Sequence, residues 1–308
     1  MRPYVIGVDA GGTKTSACVF DLSGRMLCDR RTGAANFSEE QSAWENVKEA
    51  IDICIEATEG HCVYIAVGAA GISGAGMEKE VALKLRERYR CQGIVVDDGR
   101  LALQAKLKGK DGVLIISGTG SVAYGRAGTR LVRTGGWGML LDDRGSAVSI
   151  VLEAFRQLTR GLDEGRNMTR MERELLSELG CSSPFQVPGA LQKLSKAGLA
   201  ALAPVVIAHG ASGEEQAGRI LKEEGEKLAQ MGAGAANRLE LKHPATAVSG
   251  SILEKCKPVF QAFCSEWFQY FPGAKLADGK ERVEKGALYF YQEVMNGRTD
   301  SDLEISEK

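Results

Sequence analysis

The feature that most constrains the fold is the segment VIGVDAGGTKTS at residues 5–16, where an apolar strand ends in one carboxylate, Asp9, followed by two glycines. Gly11 and Gly12 have no Cβ, so the turn can present successive backbone N–H groups to an anion. A carboxylate beside a bound phosphate would repel it unless a cation lay between them, and Mg²⁺ is suited to that position. The segment therefore predicts a strand–loop–strand unit that binds nucleotide phosphate together with Mg²⁺.

A second segment, further along the chain, repeats this design. Residues 113–125, VLIISGTGSVAYG, again have the pattern of a strand, a Gly-polar-Gly turn and another strand. Two such units predict two lobes of similar construction facing one ligand. The alternative is that each segment is only a tight hairpin turn. That interpretation is slightly better for either copy alone, whereas the phosphate interpretation is better for the pair.

The same residues argue against two other phosphate-binding motifs. A P-loop needs Lys directly after its second glycine, and here Thr13 precedes Lys14. The spacing Gly118-x-Gly120-x-x-Ala123 fits a relaxed dinucleotide fingerprint, but that fingerprint requires a helix straight after the glycines. Because residues 122–125 have the composition of a strand, we do not expect a Rossmann site.

Charge and composition argue against several classes of function. The net charge is −1, without a basic patch for nucleic acid or a membrane surface. No apolar stretch reaches the ~18 residues of a membrane span, and the chain enters its first strand without a leader, which predicts a cytoplasmic protein. The eight cysteines form no CxxC pair and the three histidines lack ligand spacing. Disulfides, a zinc or iron–sulfur site and a Ser-His-Asp triad are therefore not expected.

Strand and helix patterns alternate up to a Gly-rich hinge at 109–112, which predicts an N-terminal α/β lobe over residues 1–111. We assign residues 112–295 to a second lobe, with a nearly all-helical stretch at 145–243 and a last helix from Arg282 to about Met295. Residues 296–308 are polar and acidic and are expected to be a disordered tail. In the first lobe, residues 38–41 have the pattern of a capping box, which predicts that a helix starts there.

Two adjacent carboxylates, Asp97 and Asp98, end the apolar strand predicted at 94–98. Carboxylates at the carboxyl end of a strand suit general-base catalysis, but alternation along a strand would turn only one of them toward a cleft. The alternative is that both are turn and N-cap residues of the helix predicted to start near Arg100. Position alone favours the structural role for one of them and leaves both roles open for the other.

The run Gly135-Gly-Trp-Gly138, followed by Asp143, indicates a carbohydrate site. Three glycines around a Trp suit a loop whose backbone contacts a ligand, and a Trp or its neighbouring backbone beside a carboxylate suits a sugar. The alternative is a Gly-rich turn with Trp137 in the core and Asp143 as a helix N-terminal acid; we prefer the functional interpretation. Asn36 alone is more typical of a turn, and residues 249–251 either meet a nucleotide or cap the next helix.

Taken in order, these motifs resemble one family. They are Asp9-x-Gly-Gly-Thr13, Asp98, Ser117-Gly-Thr-Gly-Ser121, Gly135-Gly-Trp-Gly138, Asp143-x-Gly-Ser-Ala147 and Val248-x-Gly-Ser251. The set resembles the N-acetylglucosamine kinase branch of the BadF/BadG/BcrA/BcrD ATPase family, within the actin-like sugar kinase superfamily. The resemblance extends over nearly the whole chain, from residue 4 to residue 290.

The resemblance implies an α/β fold of two actin-like lobes, each ribonuclease-H-like, with a helical elaboration in the second lobe, closing around Mg·ATP and a hexosamine. It implies that Asp9 holds Mg²⁺ and that Asp98 is the base for the sugar 6-hydroxyl. The residues implied for ATP are Gly11, Gly12, Thr13, Lys14, Gly118, Thr119, Gly120, Ala211, Gly250 and Ser251. Those implied for the sugar are Asn36, Gly136, Trp137, Gly138 and Asp143.

The implied activity is transfer of the γ-phosphate of ATP to the 6-hydroxyl of N-acetylglucosamine or glucosamine. The alternatives are an ATP-hydrolysing activator of a protein partner, of the BadF type, and a sugar sensor without turnover. Asp97 and Gly99 depart from the Asn or Thr and the Ala that often flank the base in the family, and a role for Asp97 stays open. The Cys-ligated cluster of the dehydratase activators and the Cys-rich zinc motif of ROK sugar kinases have no match. Superfamily relatives are often dimers, so a homodimer is one expectation.

Overall fold

The structure is a computed structural model that describes residues 2–298. Its strands are β1 (Pro3–Ala10), β2 (Thr15–Asp21), β3 (Met26–Thr32), β4 (His61–Ala69), β5 (Gln92–Val96), β6 (Gly112–Ser117), β7 (Ser121–Ala127), β8 (Arg130–Gly135), β9 (Ala245–Ser249) and β10 (Lys275–Leu276). Its α-helices are α1 (Ala43–Glu56), α2 (Ile72–Ala75), α3 (Glu78–Tyr89), α4 (Asp98–Lys106), α5 (Ala147–Asp163), α6 (Arg170–Glu178), α7 (Val187–Leu191), α8 (Lys196–Ala200), α9 (Ala203–Ala211), α10 (Glu215–Arg238), α11 (Ser251–Lys255), α12 (Lys257–Tyr270) and α13 (Gly286–Met295). Of the predicted tail, residues 299–308 lie outside the described part of the chain.

The two five-stranded sheets have the same strand order. The first sheet runs β3-β2-β1-β4-β5, and the second, read from its other edge, runs β8-β7-β6-β9-β10. In each sheet three consecutive strands lie side by side. The two later strands are added next to the first of these three, β4 beside β1 and β9 beside β6. The repeated strand–loop–strand segments of the sequence thus head two copies of one topology, as the predicted duplication requires.

The first sheet brings three strand ends to one edge. β1 is antiparallel to β2 and parallel to β4, and β4 is parallel to β5. The register places Asp9 opposite Gly68, and Gly68 opposite Val96, the last residue of β5. Parallel strands present their carboxyl ends at the same edge of a sheet. Residues that follow β1, β4 and β5 therefore gather at that edge.

Helices cover both faces of the first sheet, so β1 is apolar at almost every position. One face carries the side chains of Tyr4, Ile6 and Val8, which pack with buried residues of α1 and α3. The opposite face carries Val5, which shares a core with buried residues of α4 and α13. The near-continuous apolar run in the sequence is thus explained by burial on two sides.

A glycine in the middle of β1 allows the C-terminal segment to cross the sheet. A Cβ built on Gly7 would lie 1.7 Å from the backbone oxygen of Glu284, in the 3₁₀ turn Val283–Lys285. The Glu284 carboxylate accepts a hydrogen bond of 2.5 Å from the Ser16 hydroxyl and contacts Arg282 at 3.1 Å. This crossing leads the chain directly into α13.

The described chain divides into two compact units. Unit 1 comprises residues 2–114, 126–132 and 276–298, and unit 2 comprises residues 115–125 and 133–275. We assigned the last helix to the second lobe, but α13 packs on β1, β4 and α4 and belongs to unit 1. The reason is that one face of the first sheet needs apolar cover from the C-terminal segment.

Three further expectations can be compared with the structure. The stretch 145–243 is helical, with α5–α10 separated by short connections, as predicted. Residues 121–127 form a strand, which confirms the argument against a dinucleotide fold. The strand predicted at 94–98 ends at Val96, because Asp98 already lies in the first turn of α4. None of the helices described between residues 2 and 298 is long and apolar enough to cross a membrane.

Candidate active site

The two candidate carboxylates of unit 1 lie at the same edge of the first sheet. Asp9 is the penultimate residue of β1, and Asp98 begins α4 directly after β5. A Cβ on Gly68 would lie 3.2 Å from the Asp98 Cα and 2.6 Å from the Leu101 Cβ. The missing side chain at Gly68 therefore lets the start of α4 lie close against β4.

The electrostatics of this edge favour a bound cation. The pKa of Asp9 is raised from 3.8 to about 7, mainly by burial, then by the negative charges of Asp98 and Glu284, while Lys14 opposes the shift. Within residues 2–298 no group of three or more His, Cys, Asp or Glu side chains is arranged to hold a metal by itself. Mg²⁺ is commonly bound by one or two carboxylates together with substrate phosphates and water. Asp9 fits that type of site.

The loop at 11–14 leaves backbone donors available beside Asp9. The Gly11 N–H donates to the Lys14 oxygen at 3.0 Å, and the Gly11 oxygen accepts from the Ala35 N–H at 2.9 Å. In the described part of the chain, the N–H groups of Gly12 and Thr13 have no protein acceptor. Two successive unpaired amides next to a carboxylate are the arrangement predicted for phosphate binding.

Asn36 also lies near this edge of unit 1. The Phe37 N–H donates to the Ala70 oxygen at 2.9 Å, directly after β4. The Asn36 Oδ1 accepts from the N–H and the hydroxyl of Ser38, at 3.2 and 2.8 Å. This Asx turn uses Ser38 locally, so the predicted capping box does not form and α1 begins at Ala43. The side-chain NH₂ of Asn36 has no acceptor among the described residues.

The second glycine loop, at 118–120, lies in unit 2 between β6 and β7. Its carbonyls are used by the start of α5: the Ala147 N–H donates to the Gly118 oxygen at 2.9 Å. The N–H groups of Thr119 and Gly120 have no protein acceptor within residues 2–298. The loop therefore repeats the pair of free amides seen at Gly12 and Thr13.

Gly250 and Ser251 lie against this second loop. A Cβ on Gly250, whose φ is +93°, would lie 2.3 Å from the Ser117 oxygen, and one on Gly118 would lie 3.8 Å from the Ser251 Oγ. The structure thus brings together two predicted ATP-binding segments that are far apart in sequence. It places Ala211, by contrast, at the exposed end of α9. No described contact joins Ala211 to the loop, and its role toward adenosine stays a prediction.

The Gly-Gly-Trp-Gly segment begins at Gly135, the buried last residue of β8, and continues as a loop that exposes Trp137. Gly135, Gly136 and Gly138 all have positive φ, between 73° and 87°. Trp137 is 69% exposed, and the guanidinium carbon of Arg133 lies 5.4 Å from the centroid of its ring. Trp137 is therefore not a core residue, which rules out that alternative. An exposed aromatic ring held by a Gly-rich loop is available to a sugar face.

Asp143 is buried beside the second glycine loop. It is 2% exposed and has a φ of +63°. Its Oδ1 accepts from the Ser121 N–H at 3.2 Å, and its Oδ2 lies 2.7 Å from the Nζ of Lys196. The N-cap of α5 is Ser146, so Asp143 does not act as the N-terminal acid of that helix. Sequence reasoning missed Lys196, because a single lysine in a helical stretch carries no local signal.

Comparisons with known proteins agree on family and fold. The model of the BadF/BadG/BcrA/BcrD ATPase family matches residues 6–289. The N-acetylmuramic acid/N-acetylglucosamine kinase of Clostridium acetobutylicum is 30% identical over 236 residues, 73% of this chain and 76% of that protein. The N-acetyl-D-glucosamine kinase of Dictyostelium discoideum is 31% identical over 195 residues, 58% of this chain and 61% of that protein.

The fold is that of the actin-like sugar kinases. A structure from Chromobacterium violaceum, proposed to be an N-acetylglucosamine kinase, superposes with a TM-score of 0.73 at 20% identity. The match covers 94% of this chain and 98% of that one. Together with the two sheets of equal strand order, this likeness identifies the predicted two-lobed, duplicated α/β fold with its helical elaboration.

Proposed function

This chain belongs to the BadF/BadG/BcrA/BcrD ATPase family, and from that membership and its candidate site we propose that it is an ATP-dependent sugar kinase acting on the 6-hydroxyl of a hexosamine. The observation that carries the proposal is the pair of carboxylates Asp9 and Asp98 at one sheet edge, whose mutual repulsion contributes to the raised pKa of Asp9. Such a pair suits one metal-binding acid and one proton acceptor.

We assign Asp98 as the general base. It is exposed at the start of α4, and its Oδ1 accepts from the Gly99 N–H at 2.8 Å, which orients the carboxylate. It would take the proton of the 6-hydroxyl as that oxygen attacks the γ-phosphorus. Mg²⁺, held through Asp9, would neutralise charge on the phosphates. Phosphoryl transfer needs mainly positioning and charge stabilisation, which these groups and the free loop amides supply.

The proposed sugar contacts are Asn36 in unit 1 and Gly136, Trp137, Gly138 and Asp143 in unit 2. The curated relatives are named for N-acetylglucosamine and N-acetylmuramic acid, so we propose an N-acetylated hexosamine as the first substrate to test. We also propose that the protein acts in the cytoplasm. A homodimer remains part of the proposal.

The test is an assay of ADP release with Mg·ATP and a panel of sugars: N-acetylglucosamine, glucosamine, N-acetylmuramic acid, N-acetylmannosamine and glucose. We expect ADP release that depends on an N-acetylated hexosamine, and ³¹P NMR of the product should show a phosphate ester coupled to the two protons on C6. A reaction without sugar is the control. ADP release that is independent of sugar would contradict the proposal and favour the activator of a protein partner.

A further inference from the structure

Lys196 is a charged residue at the candidate site that none of the motifs includes. It is the first residue of α8, and its Nζ lies 2.7 Å from the Asp143 Oδ2. A Cβ built on Gly120 would lie 2.7 Å from this Nζ and equally close to the Asp143 Oδ1. The charged ends of Lys196 and Asp143 thus lie directly beside the glycine loop of unit 2, in the space that a Cβ at position 120 would occupy.

The ion pair leaves donors of Lys196 unused. The Asp143 side chain is 3% exposed, whereas that of Lys196 is 41% exposed, so the ammonium group lies at the open end of the pair. An ammonium has three N–H donors, and within residues 2–298 Lys196 pairs with Asp143 alone. The lysine therefore has N–H donors available for a second anion beside this loop.

The neighbouring loop is suited to supply that anion. The unpaired N–H groups of Thr119 and Gly120 lie on the segment that the ammonium contacts. An anion bound by these amides would come within reach of Nζ, and a compact, mobile ammonium is a common phosphate ligand. The amides would orient a bound phosphate, and the lysine would supply a positive charge beside it.

We propose that Lys196 binds the γ-phosphate, the group that is transferred. This inference rests on the proposed function. Asp143 is the proposed sugar carboxylate, and the phosphate nearest the sugar must be the one that reacts. Without nucleotide, the Lys196 Nζ lies 2.7 Å from the Asp143 Oδ2 and stands between that oxygen and a sugar hydroxyl that would use it. The γ-phosphate draws the ammonium toward itself and frees that oxygen, so a triphosphate strengthens sugar binding.

The experiment compares nucleotides that differ only in their number of phosphates. Titration calorimetry with Mg²⁺ measures binding of AMP-PNP, ADP and AMP to the wild type, Lys196→Met and Lys196→Arg. We expect Lys196→Met to lower the affinity for AMP-PNP about 10–100-fold, the loss typical of a charged hydrogen bond. The affinity for ADP should fall less, and the affinity for AMP should not change. Lys196→Arg should retain part of the AMP-PNP affinity. Lys193→Met, an exposed lysine of the preceding turn, is the matched control and should bind all three nucleotides as the wild type does.

A purely structural role for Lys196 would give a different result. Loss of the ion pair alone would lower the affinity for all three nucleotides equally or for none of them, and either outcome overturns the proposal. A second titration, with N-acetylglucosamine, should show tighter sugar binding with AMP-PNP than with AMP in the wild type, and no such difference in Lys196→Met. These readouts do not need turnover. A phosphate-dependent effect without sugar phosphorylation would leave the γ-phosphate contact standing and refute the kinase assignment instead.

Discussion

At the scale of single residues, Asp9 and Asp98 show how two carboxylates acquire different roles from their surroundings. Asp9 is half-buried in β1 and has a pKa raised to about 7. Asp98 is exposed at the start of α4, with one oxygen held by the Gly99 N–H. The buried group depends on a neighbouring cation for its charge, whereas the exposed carboxylate of Asp98 can accept a proton.

We expect Asp98→Asn to lower kcat about 10²–10⁴-fold, the range typical for loss of a general base, because an amide cannot take the hydroxyl proton. ATP affinity should change little, since the phosphate-binding loops are intact. Steady-state kinetics and calorimetry with AMP-PNP measure the two effects. Asp97→Asn is the matched control and should retain most of the activity. Wild-type turnover in Asp98→Asn would remove this residue from the mechanism.

We expect Asp9→Asn to stabilise the protein in EDTA without nucleotide. A carboxyl whose folded-state pKa is raised from 3.8 to about 7 stays protonated in the folded state and ionises in the unfolded state over that interval. The stability of the wild type relative to Asp9→Asn should therefore fall as pH rises from 4 to 7, by on the order of 4 kcal/mol, and then level off. Urea unfolding at several pH values tests this. Parallel stability curves for the two proteins would contradict it.

At the scale of elements, the approach of the C-terminal segment to β1 determines how the first sheet is covered. The backbone of Glu284 occupies the place of a side chain at position 7, and α13 then fills the face that α4 leaves open. The Glu284 carboxylate is buried, which by itself would raise its pKa, but hydrogen bonds from Arg282 and Ser16 lower the pKa below its usual value. The segment is therefore fixed by packing and by charge.

Gly7→Ala should destabilise the protein by about 3 kcal/mol or more, because the new methyl group would overlap the Glu284 carbonyl and the backbone would have to shift. Gly218→Ala is the matched control, since a Cβ in that helix meets nothing within 4 Å. It should stabilise the protein by about 0.5–1 kcal/mol. Urea unfolding measures both variants. Equal stability of Gly7→Ala and the wild type would refute the close approach.

At the scale of the whole molecule, the chain is a duplicated α/β fold whose units are discontinuous in sequence. Unit 1 takes residues 126–132 and 276–298 in addition to the N-terminal part. The apolar residues Ala287, Leu288 and Phe290 of α13 are buried in its core. A boundary drawn from the sequence at residue 111 therefore cuts through a folding unit.

The fragment 1–111 should not fold on its own, because it lacks the helix that covers one face of its sheet. We expect a broad, non-cooperative thermal transition by circular dichroism and binding of a dye for exposed apolar surface. Co-expression with a fragment of residues 276–298 should increase its soluble yield. A sharp, cooperative transition for 1–111 alone would show that α13 is dispensable.

The loops and strand ends that form the candidate site could be predicted from the sequence, because their signals are local. An apolar run followed by an acid and two glycines indicates a strand end and a ligand-binding loop. A second strand–glycine loop–strand unit at 113–125 indicated the duplication. The glycines at 135–138 likewise indicated the loop that follows β8. These inferences need only the chemistry of neighbouring residues.

By itself, then, the sequence determined the strands, the two glycine loops and the type of residue at each motif, since these depend on short-range steric and hydrogen-bonding preferences. Only the tertiary structure decided that Asp98 opens a helix, that α13 completes the first unit and that Lys196 contacts Asp143. The physical reason is that each of these results from packing. Which segments meet depends on how the chain buries its apolar faces, and no local pattern records that choice.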